Sequence, residues 1–544
     1  MTTPTVRRIV GLNLLIASLT LLAVASCRSA PTTSKESAGR HIRKGPSAAR
    51  SGPAEELRGL FVTTSNNTDW PSQAGLDERI QQNEIDAVII RAKELNCNVI
   101  FLQVRAWGDR MYSRTKLPFP EPWAQTLSFG NEPKYDPLLL WIRTAHRSGI
   151  QLHAWIEPYR TEKPIQYAKD KYLPFFASAD GHHLYLDPTS IETQNHLLRV
   201  IDDLLSLYPP KDAPTHVTKA AATQPADDDG LDGIVVPHNI PNPANLGYMV
   251  GGTFGDVIAK RLGKAPPPAA TTKPRKPPTE RVAFLIKKHN MPTPYKAKND
   301  PGASAEDFVR EAYKLVDSHK RKFGLSPSED QWDDPHANFK RWLEQRWCHY
   351  FIPELYLPPK EFEAGLAVWI KVNQKGGEEG MPLLAPAINT AAVERPDRYG
   401  RIWDPWEIEA EIGIARDQGV GQVHFSERGL RSHAHGGPPT TQNNVGDKVR
   451  KKYPDRALLP PIVPPNERVE PPGFKLTPGR IHLEGKAFQW LVRFRSSTAG
   501  WGEQFIVDHN ENPLARPRDA DRIEAIARDR HGNESDPAER SLDE

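Results

Sequence analysis

The chain has few cysteines and almost no net charge for its length. Three cysteines occur in 544 residues, and 71 lysines and arginines nearly cancel 68 aspartates and glutamates, which leaves a formal net charge of +3. This balance argues against a nucleic-acid-binding protein, so no nucleic-acid partner is expected. Cys97 and Cys348, the two cysteines beyond the first thirty residues, do not suggest a metal site. We expect two separate buried thiols, with a disulfide between them as the alternative.

Long apolar runs are also lacking, except at the N-terminus. The run 9–25 follows two arginines and is shorter than the roughly 20 residues of a spanning helix. It ends in the small residues 24–26, directly before Cys27. This pattern predicts a lipoprotein signal peptide over residues 1–26 and a lipid on Cys27, which is the acceptor thiol. The alternative is an uncleaved signal anchor with an incidental cysteine.

The lipid on Cys27 would anchor the chain to a membrane on the periplasmic side of a bacterial envelope. The next residue is Arg28 rather than an aspartate. In envelopes that sort lipoproteins by this position, that residue favours the outer membrane. Residues 27–55 contain almost no large apolar side chains, which predicts a flexible tether with an average reach of roughly 30 Å.

The 52 prolines are about twice the usual share of roughly 5%, and much of the excess lies in linkers and insertions. Composition predicts a main domain over residues 56–450, a proline-rich linker over 451–470 and a small β-sandwich over 471–544. Two low-complexity insertions, near 209–230 and 264–280, interrupt the main domain. A solvated insertion or a lid over the functional face would explain the second one.

Short apolar runs alternate with amphipathic stretches through the main domain, the order typical of βα units around a parallel sheet. Eight such runs predict a (β/α)8 TIM barrel. The predicted strands cover 58–63, 98–105, 150–156, 233–237, 321–325, 349–357, 382–388 and 421–427, and the predicted helices include 83–95, 137–148, 190–207, 305–322 and 405–418.

Several segments resemble the glycosyl hydrolase-like 10 family, whose members are TIM-barrel proteins that include cell-wall glycan hydrolases. The matching segments are 58–72, 101–113, 135–160, 322–327, 346–356 and 419–430. Residues 527–537 also look like the end of the fibronectin-like domain that often follows this barrel. The resemblance implies a fibronectin type III-like sandwich after the barrel and a polysaccharide substrate, such as peptidoglycan, with no metal or organic cofactor.

The predicted strand ends are rich in polar and aromatic residues, and strand ends line the pocket of a barrel. Aromatic faces stack on sugar rings, while Gln, His and Arg donate hydrogen bonds to hydroxyl and acetamido groups. The alternative is that these side chains fill and buttress the top of the barrel. The predicted substrate-binding residues are Gln103, Arg105, Trp107, His153, Trp155, Tyr159, Arg160, His238, Tyr356 and His424.

Glycoside hydrolysis needs two carboxyl groups, one protonated as acid and one ionised as base or nucleophile. Glu157 is the first candidate because it has the same strand parity as His153 and Trp155. Glu354 and Glu427 are the candidates for its partner, and Asp109 lies in a nearby loop. The alternative roles are structural, namely a salt bridge from Glu157 to Arg105 or Arg160 and pairing of Glu354 or Glu427 with neighbours such as Arg428.

The chain departs from the family after the fourth strand. There the family usually has a segment like DGIHFDDYFYP, whose paired aspartates are its most plausible catalytic acids, and this chain has Pro237 and His238 at those positions. Glu157 stands where the family often has Asn, and Glu354 where it often has Gln. Two hypotheses follow: a glycoside hydrolase-like envelope protein with an altered carboxylate set, or a non-catalytic glycan-binding lipoprotein.

Overall fold

Parallel strands and helices alternate through most of the described chain. The structure is a computed structural model that describes residues 52–117, 121–161, 176–179, 184–186, 188, 191–208, 230–237, 301–328, 337–377, 380–393, 400–431, 445–461 and 468–543. The described residues all belong to one compact unit, and residues 1–51 lie outside them. The predicted signal peptide, Cys27 and most of both predicted insertions therefore lie outside the described residues.

Nine parallel strands form the central sheet, and they occupy all eight predicted positions because the seventh is split in two. The strands are β1 Arg58–Val62, β2 Val99–Arg105, β3 Gln151–Ile156, β7 Gly233–Pro237, β8 Lys322–Ser326, β9 Tyr350–Phe351, β10 Leu383–Leu384, β11 Ala387–Ile388 and β12 Gln422–His424. Their order in the sheet is β10-β9-β8-β7-β3-β2-β1-β12-β11. A small antiparallel sheet of β4 Arg160–Thr161, β5 Phe176–Ala179 and β6 Leu184–Leu186 follows β3 in the chain.

The segment 383–388, which contains β10 and β11, connects the two ends of the strand order in the central sheet. Its backbone N–H groups at Leu383, Ala385 and Ala387 donate to the carbonyls of residues 349, 351 and 353 beside β9. Its carbonyls at 384, 386 and 388 accept from the N–H groups of residues 421, 423 and 425 beside β12. One extended segment therefore bonds to both neighbours, and the mixed α/β fold contains a strongly curled sheet.

The helices confirm the five predicted segments, with boundaries shifted by up to five residues. They are α1 Glu78–Glu94, α2 Gln125–Ser128, α3 Pro137–Arg147, α4 Ile191–Ser206, α5 Pro301–Ser318, α6 Phe339–Glu344, α7 Pro359–Lys375, α8 Pro405–Asp417 and α9 Val445–Lys452. The start of α8 shows the local cause. Pro405 occupies the first turn, and Asp404 and Glu407 form a capping box that satisfies free N–H groups.

Strand residues divide between two apolar cores, as the alternation of side chains along a strand requires. One core packs strand residues such as Leu60 and Leu152 against the helices. The other contains Phe61, Phe101 and Trp155 with no helix residue, and so fills the inside of the curled sheet. Glycines inside the sheet make room for large rings: a Cβ at Gly324 would overlap the Tyr350 ring.

Antiparallel strands make up the described secondary structure of residues 468–543. One sheet has the order β13-β14-β18 and the other β16-β15-β19-β20, with β17 paired to β15. The two sheets share a core that includes Ile481 and Trp490. The strands are β13 Gly473–Thr477, β14 Arg480–Glu484, β15 Gln489–Ser496, β16 Gly500–Trp501, β17 Phe505–Val507, β18 Leu514–Ala515, β19 Ala520–Arg528 and β20 Ala538–Ser541.

This C-terminal β region contacts the N-terminal end of the central sheet. Gln489 donates to the carbonyl of Gly149 at 2.9 Å, and the N–H of Asn510 donates to the carbonyl of Arg147 at 3.2 Å. Lys93 of α1 pairs with buried Asp508 at 2.7 Å. The C-terminal β region therefore leaves the opposite end, where the strands finish, to other residues.

Candidate functional site

Four aromatic rings cluster where the parallel strands end. The Phe61 ring lies 5.3 Å from Trp155 and 5.9 Å from Phe425, and the Tyr356 ring lies 5.6 Å from Phe425. Trp155 is buried, while Tyr356 and Phe425 are partly exposed. Aromatic rings with one accessible side suit the apolar CH faces of sugars, so this cluster is the centre of the candidate site.

Glu157 lies beside this aromatic cluster, directly after β3. The Trp155 indole N–H donates to Glu157 Oε1 at 3.0 Å, and Glu157 is buried. His153, Trp155 and Glu157 share one side of the strand, because Leu152, Ala154 and Ile156 belong to the helix-side core. The predicted parity of these three residues is confirmed, and the structure brings a carboxylate next to a partly covered aromatic surface.

Glu354 follows β9 on the opposite side of the curled sheet. The Ser326 hydroxyl, at the end of β8, donates to Glu354 Oε1 at 3.4 Å. Glu354 and Tyr356 are two residues apart, and the Tyr356 ring contacts Phe425, so Glu354 is close in the chain to the aromatic cluster. Glycoside hydrolysis needs two carboxyl groups, and Glu157 and Glu354 each follow a strand of the central sheet.

Glu427 has a different environment, in a short helix after β12. It is buried in ion pairs with Arg91 of α1 and with Arg431, the second at 2.7 Å. Two guanidinium groups balance its charge, so the structure places Glu427 in the alternative structural role, although with partners other than Arg428.

Asp69, which is not among the predicted site residues, links the loop after β1 to the segment after β12. Its carboxylate accepts from the Thr63 N–H at 2.6 Å and from the Ser426 hydroxyl and the Arg428 N–H, both at 2.8 Å. Burial, followed by the charge of Glu427, raises the pKa of Asp69 to about 6. The three donors fix the loop around this carboxyl group.

Arg105 was expected to bind substrate, but the structure buries it completely. Its guanidinium forms a fork on Glu121, with Nε 3.0 Å from both carboxylate oxygens and Nη2 2.7 Å from Oε1. Its third nitrogen donates to the carbonyls of Glu157 and Pro158. Arg105 therefore holds the backbone after β3 from inside the protein, because no face of its guanidinium reaches solvent.

His424 also lies away from the aromatic cluster. Val423 points into the sheet interior, so its neighbour His424 points outward, where its Nε2 lies 3.0 Å from the Tyr453 hydroxyl. His153 lies inside the sheet but below the site, with Nδ1 2.8 Å from the Tyr350 hydroxyl. Burial lowers the pKa of both histidines to about 3, so both are neutral at pH 7.

Two other predicted residues shape loops around the site. The Gln103 side-chain oxygen accepts from the N–H groups of Thr64 and Ser65 at 3.0 and 2.9 Å. Asp109 Oδ1 accepts from the N–H groups of Ala106 and Trp107 at 3.1 and 2.9 Å, which closes the turn after β2. Burial raises the pKa of Asp109, and these two hydrogen bonds oppose that rise.

The remaining predicted residues lie in or beside the segment after β3. The Arg160 guanidinium lies 5.0 Å above the Trp107 ring, and Trp107 is partly exposed. Tyr159 is buried, with its ring 5.7 Å from Phe308 of α5. His238 lies outside the described residues. Within the part of the chain that the structure describes, no group of three or more His, Cys, Asp or Glu side chains could hold a metal ion.

Comparison with known families identifies the N-terminal part of this fold. Residues 56–213 match the family described as Glycosyl hydrolase-like 10. This match confirms the resemblance for the segments 58–72, 101–113 and 135–160. It covers β1 to α4 and so includes Trp155 and Glu157.

Curated relatives carry the same kind of name. Glycosyl hydrolase YngK of Bacillus subtilis (strain 168) is 26% identical over 179 residues, which are 31% of this chain and 34% of that protein. Glycosyl hydrolase DigH of Escherichia coli (strain K12) is 26% identical over 217 residues, which are 36% of this chain and 48% of that protein. The chain spans half or less of the length of these relatives.

Solved structures with a partial likeness include glycosidases. The PgaB (BpsB) glycoside hydrolase domain from Bordetella bronchiseptica has a TM-score of 0.39 at 12% identity, over 69% of this chain and 94% of that chain. The GH20 exo β-N-acetylglucosaminidase from Vibrio harveyi has a TM-score of 0.37 at 10% identity, over 74% of this chain and 57% of that chain.

Proposed function

We propose that this chain is a glycoside hydrolase-like protein that acts on peptidoglycan or another envelope polysaccharide. The observation that carries the proposal is the aromatic cluster at the strand ends, with Glu157 bonded to Trp155 and with Glu354 two residues before Tyr356. The match of residues 56–213 to a glycosyl hydrolase-like family supports the same reaction class. A cleft of this kind binds sugar rings on its aromatic surface and presents two carboxyl groups to the glycosidic bond.

The finer architecture belongs to the same proposal. Counting 383–388 as one strand gives eight positions around the curled sheet, as in a (β/α)8 TIM barrel. The C-terminal β region is then a fibronectin type III-like accessory domain. It would sit at the N-terminal end of the barrel, opposite the candidate site.

Glu157 and Glu354 are the proposed catalytic pair. Glu427 is a weaker candidate, because its two carboxylate oxygens are engaged in ion pairs with Arg91 and Arg431. A catalytic carboxyl group must reach the sugar or the glycosidic oxygen, and Glu427 is buried in these pairs.

The test is release of new reducing ends by the full-length protein, purified from membranes in detergent. Peptide-free glycan strands and a panel of envelope polysaccharides are the substrates, from acidic to neutral pH. We expect Glu157→Gln and Glu354→Gln to abolish the activity and Glu524→Gln to leave it unchanged. Glu524 is a matched control because it is a buried glutamate of the C-terminal β region. The absence of reducing ends at every pH would refute hydrolysis.

Membrane attachment is tested separately, because it depends on the N-terminal sequence alone. We propose that a lipid on Cys27 anchors the chain at the periplasmic side of the envelope. In envelopes that sort lipoproteins by the residue after the cysteine, Arg28 favours the outer membrane. Cys27→Ser is expected to abolish incorporation of labelled palmitate and to release the protein from membranes. Incorporation that survives this change would contradict the anchor.

A non-catalytic glycan-binding lipoprotein is the second candidate. The observation that favours it is the end of β7, where Pro237 and the following residue, His238, stand in the sequence at the positions of the paired aspartates in the family resemblance. This candidate predicts glycan affinity without turnover, and an affinity that Glu157→Gln leaves intact. Loss of measurable cleavage in the same variant would rule it out.

A further inference from the structure

We propose that Glu121 and Arg105 are buried positioning residues that set the orientation of Glu157 through the backbone after β3. The inference rests on the proposed function, in which Glu157 is a catalytic carboxylate. Both residues are buried, and the Arg105 side chain bonds to the Glu121 carboxylate and to the backbone after β3.

The contact between Arg105 and the segment after β3 is direct. One guanidinium nitrogen, Nη1, donates to the carbonyl oxygens of Glu157 and Pro158, the second at 3.1 Å. In return, the N–H of Glu157 donates to the Arg105 carbonyl at 2.8 Å. Glu157 is therefore held through both of its backbone polar groups by one residue, which restricts the direction in which its side chain leaves the strand.

Glu121 holds Arg105 in the geometry that this contact needs. The other two guanidinium nitrogens form a planar fork on the Glu121 carboxylate, with distances of 2.7 to 3.0 Å. His196 of α4 adds a third donor nitrogen, with Nε2 2.8 Å from Glu121 Oε1. Burial alone would raise the pKa of Glu121, but Arg105 and then His196 lower it to about 2. Glu121 is thus ionised at every pH at which the protein is expected to work.

The side chain of Glu157 is held separately, because its carboxylate accepts a 3.0 Å hydrogen bond from Trp155 Nε1. The backbone of Glu157 is set by Arg105 and its carboxylate by Trp155, so a shift of the guanidinium changes the angle at which the indole meets the carboxylate. A displacement of about 1 Å at a reacting group can cost about 100-fold in rate, even when the change lies outside the site.

The first test measures the indole itself and needs no activity. The protein is labelled with 5-fluorotryptophan, and the Trp155 resonance is assigned by its loss in Trp155→Phe. In Glu121→Gln we expect this resonance to move and its pH titration to have a different midpoint. Glu524→Gln is the control, because Glu524 forms the same kind of fork with Arg493, at 2.7 and 2.8 Å, in the C-terminal β region. We expect the control to leave the Trp155 resonance in place.

A milder variant covers the case in which Glu121→Gln does not fold. His196→Gln removes only the outer partner of Glu121, and we expect a smaller movement of the same resonance. If neither variant that folds moves the Trp155 resonance or its titration, the positioning role is refuted. Because this readout needs no turnover, it holds even where the wild type proves inactive and the proposed function fails.

The second test applies where the wild type releases reducing ends. Glu121→Gln is expected to lower kcat about 10- to 100-fold, and to leave KM within about threefold, as for an interaction expressed in the transition state. A purely structural role would instead lower the melting temperature while the folded fraction kept its kcat. That result would overturn the proposal.

Discussion

The side-chain amide of Gln151 donates a 2.6 Å hydrogen bond to the backbone carbonyl of Arg530. Gln151 begins β3, the strand that ends just before Glu157, and Arg530 follows the last long strand of the C-terminal β region. Arg530 also donates to the carbonyl of Gly230 at 2.6 Å and lies 3.5 Å from Asp232. The C-terminal β region therefore closes the N-terminal end of the curled sheet with polar contacts.

Removal of the Arg530 side chain should lower stability. In Arg530→Ala, the buried Asp232 keeps its 2.8 Å contact with His146 but loses the guanidinium 3.5 Å away, and the Gly230 carbonyl loses a donor. We expect a loss of about 2 to 4 kcal/mol in the free energy of unfolding, measured with urea.

Arg522→Ala is the control for this variant. Arg522 forms an exposed pair with Glu539 at 3.7 Å, and its removal should change stability by less than about 0.5 kcal/mol. Equal losses in the two variants would show that the contacts of Arg530 add nothing to stability.

Acid should destabilise the fold through two buried histidines. The pKa of His153 and of His424 is lowered to about 3 in the folded chain, mainly by burial, against about 6.5 in an unfolded one. Between these values the unfolded chain binds more protons, so stability falls as the pH falls below about 6.5. From pH 7 to 5 each histidine accounts for a loss of about 2 kcal/mol. Asp69, whose pKa is raised to about 6, acts in the opposite direction.

Single variants separate these contributions. We expect His153→Gln and His424→Gln each to make the profile of unfolding free energy against pH shallower. The two effects should add, because the side chains lie on opposite sides of the sheet. A profile that neither change alters would contradict the assignment.

Two glycines should respond in opposite ways to replacement by alanine. A Cβ at Gly324 would overlap the Tyr350 ring, and that ring is locked by hydrogen bonds to His153 and to the Ile234 carbonyl. We expect Gly324→Ala to cost about 3 kcal/mol or to prevent folding. A Cβ at Gly413, within α8, meets no atom within 4 Å, so Gly413→Ala should stabilise by about 0.5 to 1 kcal/mol. Melting temperatures of both variants provide the check.

The two cysteines of the described chain should resist labelling. Cys97 and Cys348 are buried and not bonded to each other, as expected from the sequence. Burial raises the pKa of both thiols, that of Cys97 to about 12, so almost no reactive thiolate is present at pH 8. In a Cys27→Ser variant, labelling by a maleimide should be at least about 100-fold slower in buffer than in denaturant. Fast labelling in buffer would show that the thiols are accessible.

The local sequence pattern was sufficient to predict the eight strand positions, five helices and the shared side of β3 on which His153, Trp155 and Glu157 lie. These features follow from short-range periodicity, because side chains alternate along a strand and apolar residues recur every turn of a helix. Helix α7 was not among the predicted helices. Its apolar periodicity is less distinct in the sequence, because the apolar side chain of Val368 is exposed.

The roles of polar residues at the strand ends depended on tertiary structure. His424 was predicted to bind substrate, but the register of β12 turns Val423 inward and His424 outward. Arg105 was predicted to bind a glycan, but its guanidinium is buried against Glu121, 16 residues later in the chain. Glu427 was predicted to be catalytic, but Arg91, 336 residues earlier, pairs with it.

The sequence by itself determined the order of elements, the family resemblance and the side of β3 that carries Glu157, because these depend on neighbours within a few residues. The curling of the sheet, with 383–388 bonded to both of its neighbours, decided the rest. It brings residues hundreds of positions apart into contact, and a buried charge takes its role from whichever opposite charge the fold places beside it.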